Sequence, residues 1–158
     1  MGQGARAEGQ GAVRGAGFRQ LKAWQAADEL AFTLISLVER LPSQKRWMAS
    51  QVSRAAISVP ANIAEGYSRA SLREYLRHLS IARGSLGETE YYIHLLSRLD
   101  LLTPERGTQL AKLVRETGGL LYGLIRSLSK KLEMEPGTRS YSIGEDREVT
   151  YREDSHDP

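Results

Sequence analysis

Two pairs of residues on one predicted helix have the types and the spacing that could hold a metal ion. Glu74 and His78 are four residues apart, as are Glu90 and His94. Carboxylate and imidazole groups are ligands of di-metal centres in helical bundles, but those centres need Glu-x-x-His pairs from separate helices. The two histidines lie about 24 Å apart along the helix and about 160° apart around its axis. The pairs therefore indicate ordinary surface ion pairs, and no metal site is predicted.

Nucleophilic catalysis has no better support in the sequence. Serines are frequent, but no Gly-x-Ser-x-Gly sequence occurs in a strand-to-helix context. The segment 84–87, Gly-Ser-Leu-Gly, falls within a predicted helix, whereas a phosphate-binding loop joins a strand to a helix. The chain has no cysteine, which excludes disulfides, thiolate metal sites and cysteine nucleophiles. We therefore predict that the protein is not an enzyme and uses no cofactor.

The arginines have a more informative spacing. The candidate nucleic-acid-binding residues are Arg54, Arg69, Arg73, Arg77 and Arg83, with Lys130-Lys131 as a separate cluster. The middle three of the five recur every four residues and so form one stripe along the turn into the third predicted helix. Such a row can bridge successive phosphates, and Tyr67 or Tyr75 could stack on an unpaired base. A solvated face whose charges pair with Glu65, Glu74 and Glu88 explains the stripe equally well.

Four amphipathic segments must position these side chains. Apolar residues at spacings of three and four predict helices over about 18–41, 44–65, 71–96 and 104–132. Ser71 and Glu74 form a capping box at the start of the third helix, and Thr103 caps a fourth that has Pro104 at its first position. Long helices joined by short turns predict an all-α fold, an antiparallel four-helix bundle.

The second helix contains the most distinctive stretch of the chain. Its structural motif consists of Gln51, Pro60, Asn62, Glu65 and Gly66. Pro60 lacks a backbone donor, so we expect a kink there and a carbonyl, that of Ala56, without its helical partner. We expect Asn62, Glu65 or Arg54 to satisfy such groups or to tie this helix to its neighbours, with direct ligand contact as the alternative. Gly66 suits a left-handed helix end.

Two features of the first and third helices suggest contact with further surfaces. Each glycine inside a helix costs about 1 kcal/mol relative to alanine. That cost is understandable if Ser80, Gly84 and Gly87 let another helix approach closely. Leu30 and Leu37 fall outside the apolar stripe of the first helix, which indicates a second covering surface and hence oligomerisation.

Composition divides the chain into three parts. Residues 1–17 are predicted to be a disordered arm, 18–132 the bundle, and 133–158 an acidic disordered tail. The tail has three basic and eight acidic residues, whereas residues 21–132 have sixteen basic and ten acidic ones. No apolar run approaches the roughly 18 residues that span a bilayer, and no secretory signal is present. A soluble cytoplasmic protein is expected.

The distinctive stretch resembles a known family. Ser50-Gln51, Arg54-Ala55-Ala56, Ser58-Val59-Pro60 and residues 61–66, Ala-Asn-Ile-Ala-Glu-Gly, are similar to the signature of four-helix-bundle proteins encoded in intervening sequences of bacterial 23S rRNA genes. Residues 81–88 resemble the third-helix motif of that family. The resemblance extends over about residues 20–132 and excludes both tails.

The resemblance implies a homo-oligomer, a five-fold ring with a basic surface. The wider group includes accessory variability proteins of diversity-generating retroelements, which bind a reverse transcriptase and its template RNA without catalysis of their own. It thus implies RNA or another nucleic acid, and a reverse transcriptase, as candidate partners. The alternative is a protein-binding scaffold with no nucleic-acid role, which would use Leu30, Leu37, Tyr91 and Tyr92.

Overall fold

A computed structural model describes residues 17–134, and four helices account for most of them. They are α1 (Lys22–Val38), α2 (Arg46–Tyr67), α3 (Leu72–Arg98) and α4 (Pro104–Glu133). Short 3₁₀ turns at Gly17–Gln20 and Ser43–Lys45 precede α1 and α2. These residues include no strand, so the predicted all-α fold is confirmed. Except for residues 17, 133 and 134, the predicted arm and acidic tail lie outside the described residues.

The helices form an antiparallel four-helix bundle in which each packs against two neighbours. α1 lies between α2 and α4, and α3 lies between the same two helices on the opposite side. Short connections at 39–45, 68–71 and 99–103 reverse the chain direction each time. The starts of α1 and α3 and the ends of α2 and α4 therefore meet at one end of the bundle, which we call the lower end.

The core is aliphatic and is built from the apolar stripes of all four helices. Leu34, Val59, Leu79, Leu96 and Leu110 are fully buried within it. Leu30 is covered as expected, but the covering surface belongs to the same chain, where this residue is only 1% exposed. Leu37 is partly buried against the same core. Because α1 packs against two helices, its buried face is wider than one narrow stripe, and Leu30 needs no second copy to cover it.

Both predicted helix starts are confirmed. The backbone N–H of Glu74 donates to the Ser71 hydroxyl over 3.2 Å, and that hydroxyl lies 3.3 Å from the Glu74 carboxylate. The Thr103 hydroxyl accepts from the backbone N–H of Arg106, and Pro104 is the first residue of α4. The first long helix begins later than predicted, since a 3₁₀ turn carries Phe18 against the ring of Trp24.

α2 continues on both sides of Pro60, which is buried. Gly66 also lies inside α2, contrary to the predicted left-handed helix end, because its φ is not positive. Its role is close approach. A Cβ at Gly66 would lie 2.7 Å from Cδ2 of Tyr75 and 2.8 Å from Cβ of His78. Only glycine lets α2 and α3 come this near without displacing one of these side chains.

The glycines of α3 behave differently. A Cβ at Gly84 or Gly87 would have no neighbour within 4 Å among residues 17–134. Both glycines are exposed, as is Ser80. No helix of the same chain therefore approaches this stripe, and the predicted close contact does not occur within the described part of one chain.

Candidate nucleic-acid interface

Three of the five candidate arginines lie at the lower end of the bundle. Arg69 is in the turn between α2 and α3, and Arg73 and Arg77 follow in the first two turns of α3. All three are exposed. Arg73 and Arg77 are four residues apart on a helix, so their side chains leave the same face about 6 Å apart along the axis.

Within residues 17–134, Arg69 has an ionic partner, but Arg73 and Arg77 have none. Among residues 17–134, the Glu65 carboxylate forms an ion pair with Arg69 and lies 3.7 Å from Nε2 of His78. The carboxylates of Glu74 and Glu88, which the alternative interpretation paired with the stripe, form no ion pair in this part of the chain. Arg73 and Arg77 therefore present uncompensated charge to solvent.

The remaining two candidates lie elsewhere. Arg83 is six residues beyond Arg77, which places it about 9 Å further along α3 and about 120° around the helix. Arg54 is on α2, where it lines a small cleft of about 150 Å³ together with Gln51 and Glu88. The structure thus brings Arg69, Arg73 and Arg77 together and leaves the other two outside that group.

The lower end gains further basic residues from α1 and α4. We call it the basic end, and its cations are Arg19, Lys22, Arg69, Arg73, Arg77, Arg126, Lys130 and Lys131. Residues 17–22, 65–77 and 126–134 hold these eight cations and only three carboxylates. The opposite end, residues 35–46 and 95–110, holds five cations and three carboxylates. The sequence spacing alone indicates a separate cluster at Lys130-Lys131, but the antiparallel course of α3 and α4 places it at the same end as Arg73.

A polar seam connects α2 with α3 above this end. Nδ2 of Asn62 donates to the carbonyl oxygen of Ser58 over 2.8 Å, and Oδ1 of Asn62 lies 3.3 Å from Nδ1 of His78. The hydroxyls of Ser58 and Ser85 lie 2.8 Å apart across the two helices. The amide of Asn62 therefore serves the Ser58 carbonyl and not that of Ala56. The other end of the Asn62 amide contacts His78, so this side chain links α2 to α3.

The two tyrosines near the basic end have different exposure. Tyr67 is 42% exposed, and its ring meets that of Tyr75 edge to face with centroids 6.2 Å apart. The Tyr75 hydroxyl oxygen is buried and has no hydrogen-bond partner among the described residues. Burial, with the charge of Tyr67 as a smaller cause, raises the pKa of Tyr75 to about 12. Of the two, Tyr67 is the one accessible to a stacked base.

Other kinds of site find little support. No group of three or more His, Cys, Asp or Glu side chains converges among residues 17–134. None of the helices in this range combines the length and the apolar character needed to cross a membrane. A groove of about 490 Å³ runs between α1 and α4, where Lys22, Glu29 and Glu116 surround apolar side chains. Within residues 17–134, these three charged side chains form no ion pair with one another.

Comparison with known proteins supplies a family. The sequence model described as 23S rRNA-intervening sequence protein matches residues 19–123. The fold is similar to the crystal structure of a protein of unknown function from the S23 ribosomal protein family of Bacteroides thetaiotaomicron. The two are 27% identical with a TM-score of 0.61, and the match covers 66% of this chain and 95% of the other. No curated protein gives a significant match.

Proposed function

This chain belongs to the 23S rRNA-intervening sequence protein family, and on that premise we propose that it is a non-enzymatic protein that binds RNA through the basic end of its bundle. The observation that supports the proposal most directly is the charge of that end, eight cations against three carboxylates. Cationic side chains bind phosphates by releasing condensed counterions, a sequence-independent attraction. A surface of this kind positions a nucleic acid without having to read its sequence.

The proposal favours RNA with unpaired bases over a regular duplex. Arg73 and Arg77 are exposed, unpaired within residues 17–134 and one helical turn apart, so they can contact successive phosphates. Tyr67 lies at the same end with an accessible ring face or edge. Proteins that recognise single-stranded RNA commonly stack bases on such rings beside a cationic path for the backbone.

Assembly into a homo-oligomeric ring, a pentamer, is the second part of the proposal. α3 presents the stripe of Ser80, Gly84 and Gly87 with nothing of the described chain against it, and Tyr91 on the same helix is 57% exposed. Small residues let two helix backbones approach closely, so this stripe fits contact with a second copy. A ring would multiply the basic end and raise the affinity for a long RNA. In this arrangement the protein acts as an accessory factor, with a reverse transcriptase as a candidate partner.

One observation favours a different function, a protein-binding scaffold with no nucleic-acid role. Phe32 is 69% exposed, Trp47 64% and Ile57 50%, all on α1 and α2 away from the basic end. Exposed aromatic residues of this size are enriched where proteins bind one another. Of the residues first expected to serve such a scaffold, Leu30 is buried and Tyr91 is exposed. The hydrophobic side chains of α1 and α2 would therefore carry this alternative.

A salt titration of RNA binding by the full chain tests the proposal. We expect affinity for a single-stranded RNA to fall with salt, with a logarithmic slope of about −0.7 for each phosphate contact. Binding that is absent at low salt, or that does not change with salt, would show that the basic end is not an RNA surface. Light scattering on the same sample tests the ring, and a monomer would exclude it.

A further inference from the structure

We propose that the basic end is also the docking surface for the chain's own acidic C-terminal segment, residues 135–158, which competes there with RNA. The docking is independent of RNA binding, whereas the competition rests on the proposed function. Three features of the chain support the docking: where α4 ends, how much chain follows it, and which charges the two parts carry.

The position of the α4 terminus puts the segment beside its surface. α4 ends at Glu133, at the end of the bundle where α3 begins with Arg73 and Arg77. The sequence continues for 24 residues beyond Met134. That length could reach at most about 80 Å when fully extended, well over the dimensions of the basic end. The segment therefore reaches every cation of the basic end from its own chain without needing a second copy.

The charges of the two parts are complementary. Residues 135–158 hold seven acidic and three basic side chains, a formal net charge of −4. The basic end holds eight cations and three carboxylates, a net charge of +5. The first acid is Glu135 and the other six lie between Glu145 and Asp157, so most of the carboxylates belong to the distal part of the segment. No other stretch of comparable length in the chain has so large an acidic excess.

Tethering makes this weak electrostatic attraction effective. A single exposed ion pair contributes about 0–1 kcal/mol, which would not hold two separate molecules together. Attachment to α4 gives the segment an effective concentration in the millimolar range, so several weak pairs suffice to occupy the surface part of the time. A polyphosphate with higher charge density displaces the segment. The competition should weaken as salt rises, because the Debye length falls to about 10 Å at 0.1 M.

Docking can be measured directly and without RNA. The chain has no cysteine, so a single one introduced by Ser155→Cys carries a nitroxide spin label on the acidic segment. At about 50 mM salt we expect the label to broaden the amide signals of residues 69–77, and those of residues 98–106 at the opposite end to stay sharp. At about 0.5 M salt the broadening should fall to the level that the tether alone produces.

The control is a neutral-tail variant of the same length, in which the seven acids of residues 135–158 are replaced by their amides and the three arginines by glutamine. Because both chains have the same tether, proximity alone would broaden residues 69–77 equally in both. Weaker broadening in the neutral-tail variant supports docking through charge, and equal broadening overturns it. A label that broadens an unlabelled chain mixed into the sample would place the contact between copies and also overturn the proposal.

RNA affinity tests the competition. At about 50 mM salt the neutral-tail variant should bind single-stranded RNA about three- to tenfold more tightly than the parent chain, and at about 0.3 M salt the two should converge. Equal or weaker binding by the variant at low salt would overturn the competition. If the spin label shows docking and neither chain binds RNA, the RNA proposal fails and the docking surface stands.

Discussion

Asn62 on α2 and His78 on α3 are linked side chain to side chain, with 3.3 Å between Oδ1 and Nδ1. Because an amide oxygen only accepts, Nδ1 of His78 carries the hydrogen in this contact. The same asparagine donates its Nδ2 back to the Ser58 carbonyl over 2.8 Å. Asn62, the polar centre of the most recognisable stretch of the sequence, thus fastens two helices together at a partly buried position.

Replacement of Asn62 by Ala should lower the free energy of unfolding by about 1–2 kcal/mol, because it removes these bonds and leaves partly buried partners unsatisfied. Urea denaturation measures the loss. A double-mutant cycle with His78→Ala should give a coupling energy of about 0.5 kcal/mol or more. Gln51→Ala, on the exposed surface of the same helix, is the control and should change stability little. Full stability of Asn62→Ala together with lost RNA binding would instead make Asn62 a ligand-contacting residue.

Gly66→Ala should destabilise the bundle by about 1–3 kcal/mol, since the new methyl group would lie within 3 Å of both Tyr75 and His78. Thermal or urea unfolding measures the effect. Gly119→Ala is the matched control, because a Cβ there meets nothing within 4 Å in the described chain. The control should keep or raise stability by up to about 1 kcal/mol. Equal effects at the two sites would contradict the close approach of α2 and α3.

These residues show which parts of the fold the sequence could predict. The four helices and the caps at Ser71 and Thr103 depend on local spacing and local hydrogen bonds, and both were predicted correctly. The role of Gly66 depends on Tyr75 and His78 in another helix. Glycine is common at helix ends and at close contacts alike, so its identity cannot distinguish the two. The same holds for Leu30, whose burial depends on a second neighbouring helix.

The double substitution Arg73→Gln/Arg77→Gln should weaken RNA binding and reduce the salt slope by about 1.4, because two phosphate contacts are lost. A salt titration of the variant against the parent chain gives both quantities. Arg98→Gln/Arg106→Gln removes the same charge from the opposite end and is the matched control. If the two double variants weaken binding equally, net charge and not the basic end determines the affinity.

Alkaline pH should destabilise the protein through Tyr75. Its pKa is about 12 when folded and about 10 when unfolded, so the unfolded state binds fewer protons between these values. Stability is therefore present below pH 10 and falls as pH rises toward 12, by about 1–2 kcal/mol once partial solvent screening is allowed for. The Tyr75→Phe variant should lack this loss of stability between pH 10 and 12. At pH 7 it should be slightly more stable than the parent chain, because a buried hydroxyl with no partner among the described residues is removed.

The control for Tyr75 is Tyr122→Phe, on a side chain that is 61% exposed. This variant should follow the alkaline profile of the parent chain. If Tyr75→Phe loses stability between pH 10 and 12 as steeply as the parent chain, another group causes the loss. Destabilisation of Tyr75→Phe at pH 7 would mean that the hydroxyl has a partner.

Gly84→Gln should leave the monomer folded and break the ring. Its side chain meets nothing of the described chain, so helix propensity should make the isolated bundle slightly more stable. In a ring that packs α3 against another copy, the same side chain would prevent close approach. Light scattering should show smaller particles than for the parent chain or for Gly119→Gln, and circular dichroism should be unchanged. An intact ring in Gly84→Gln would remove this stripe from the interface.

The candidate site was predictable only in part, for a related reason. The spacing of Arg69, Arg73 and Arg77 is local, and the structure keeps them together. Which cations of α4 lie at the same end as these arginines depends on the direction of that helix. The short turns already predict this direction, because they make neighbouring helices antiparallel. Arg83 is different, because a spacing of six residues turns it about 120° away from Arg77. The rotation of 100° per residue, calculated for each arginine, would have shown that Arg83 does not belong to the stripe.

The up-and-down course of the helices has a practical consequence for anyone handling this protein. Gly17 and Met134, the first and last residues that the structure describes, both lie at the basic end. A purification tag or fluorescent protein fused at either terminus would thus be tethered, through residues 1–16 or 135–158, to the end that carries Arg73 and Arg77. The turn at 99–103 lies at the far end of the bundle. A reporter inserted in this turn would be far from the basic end and would not contribute to the RNA binding that is measured there.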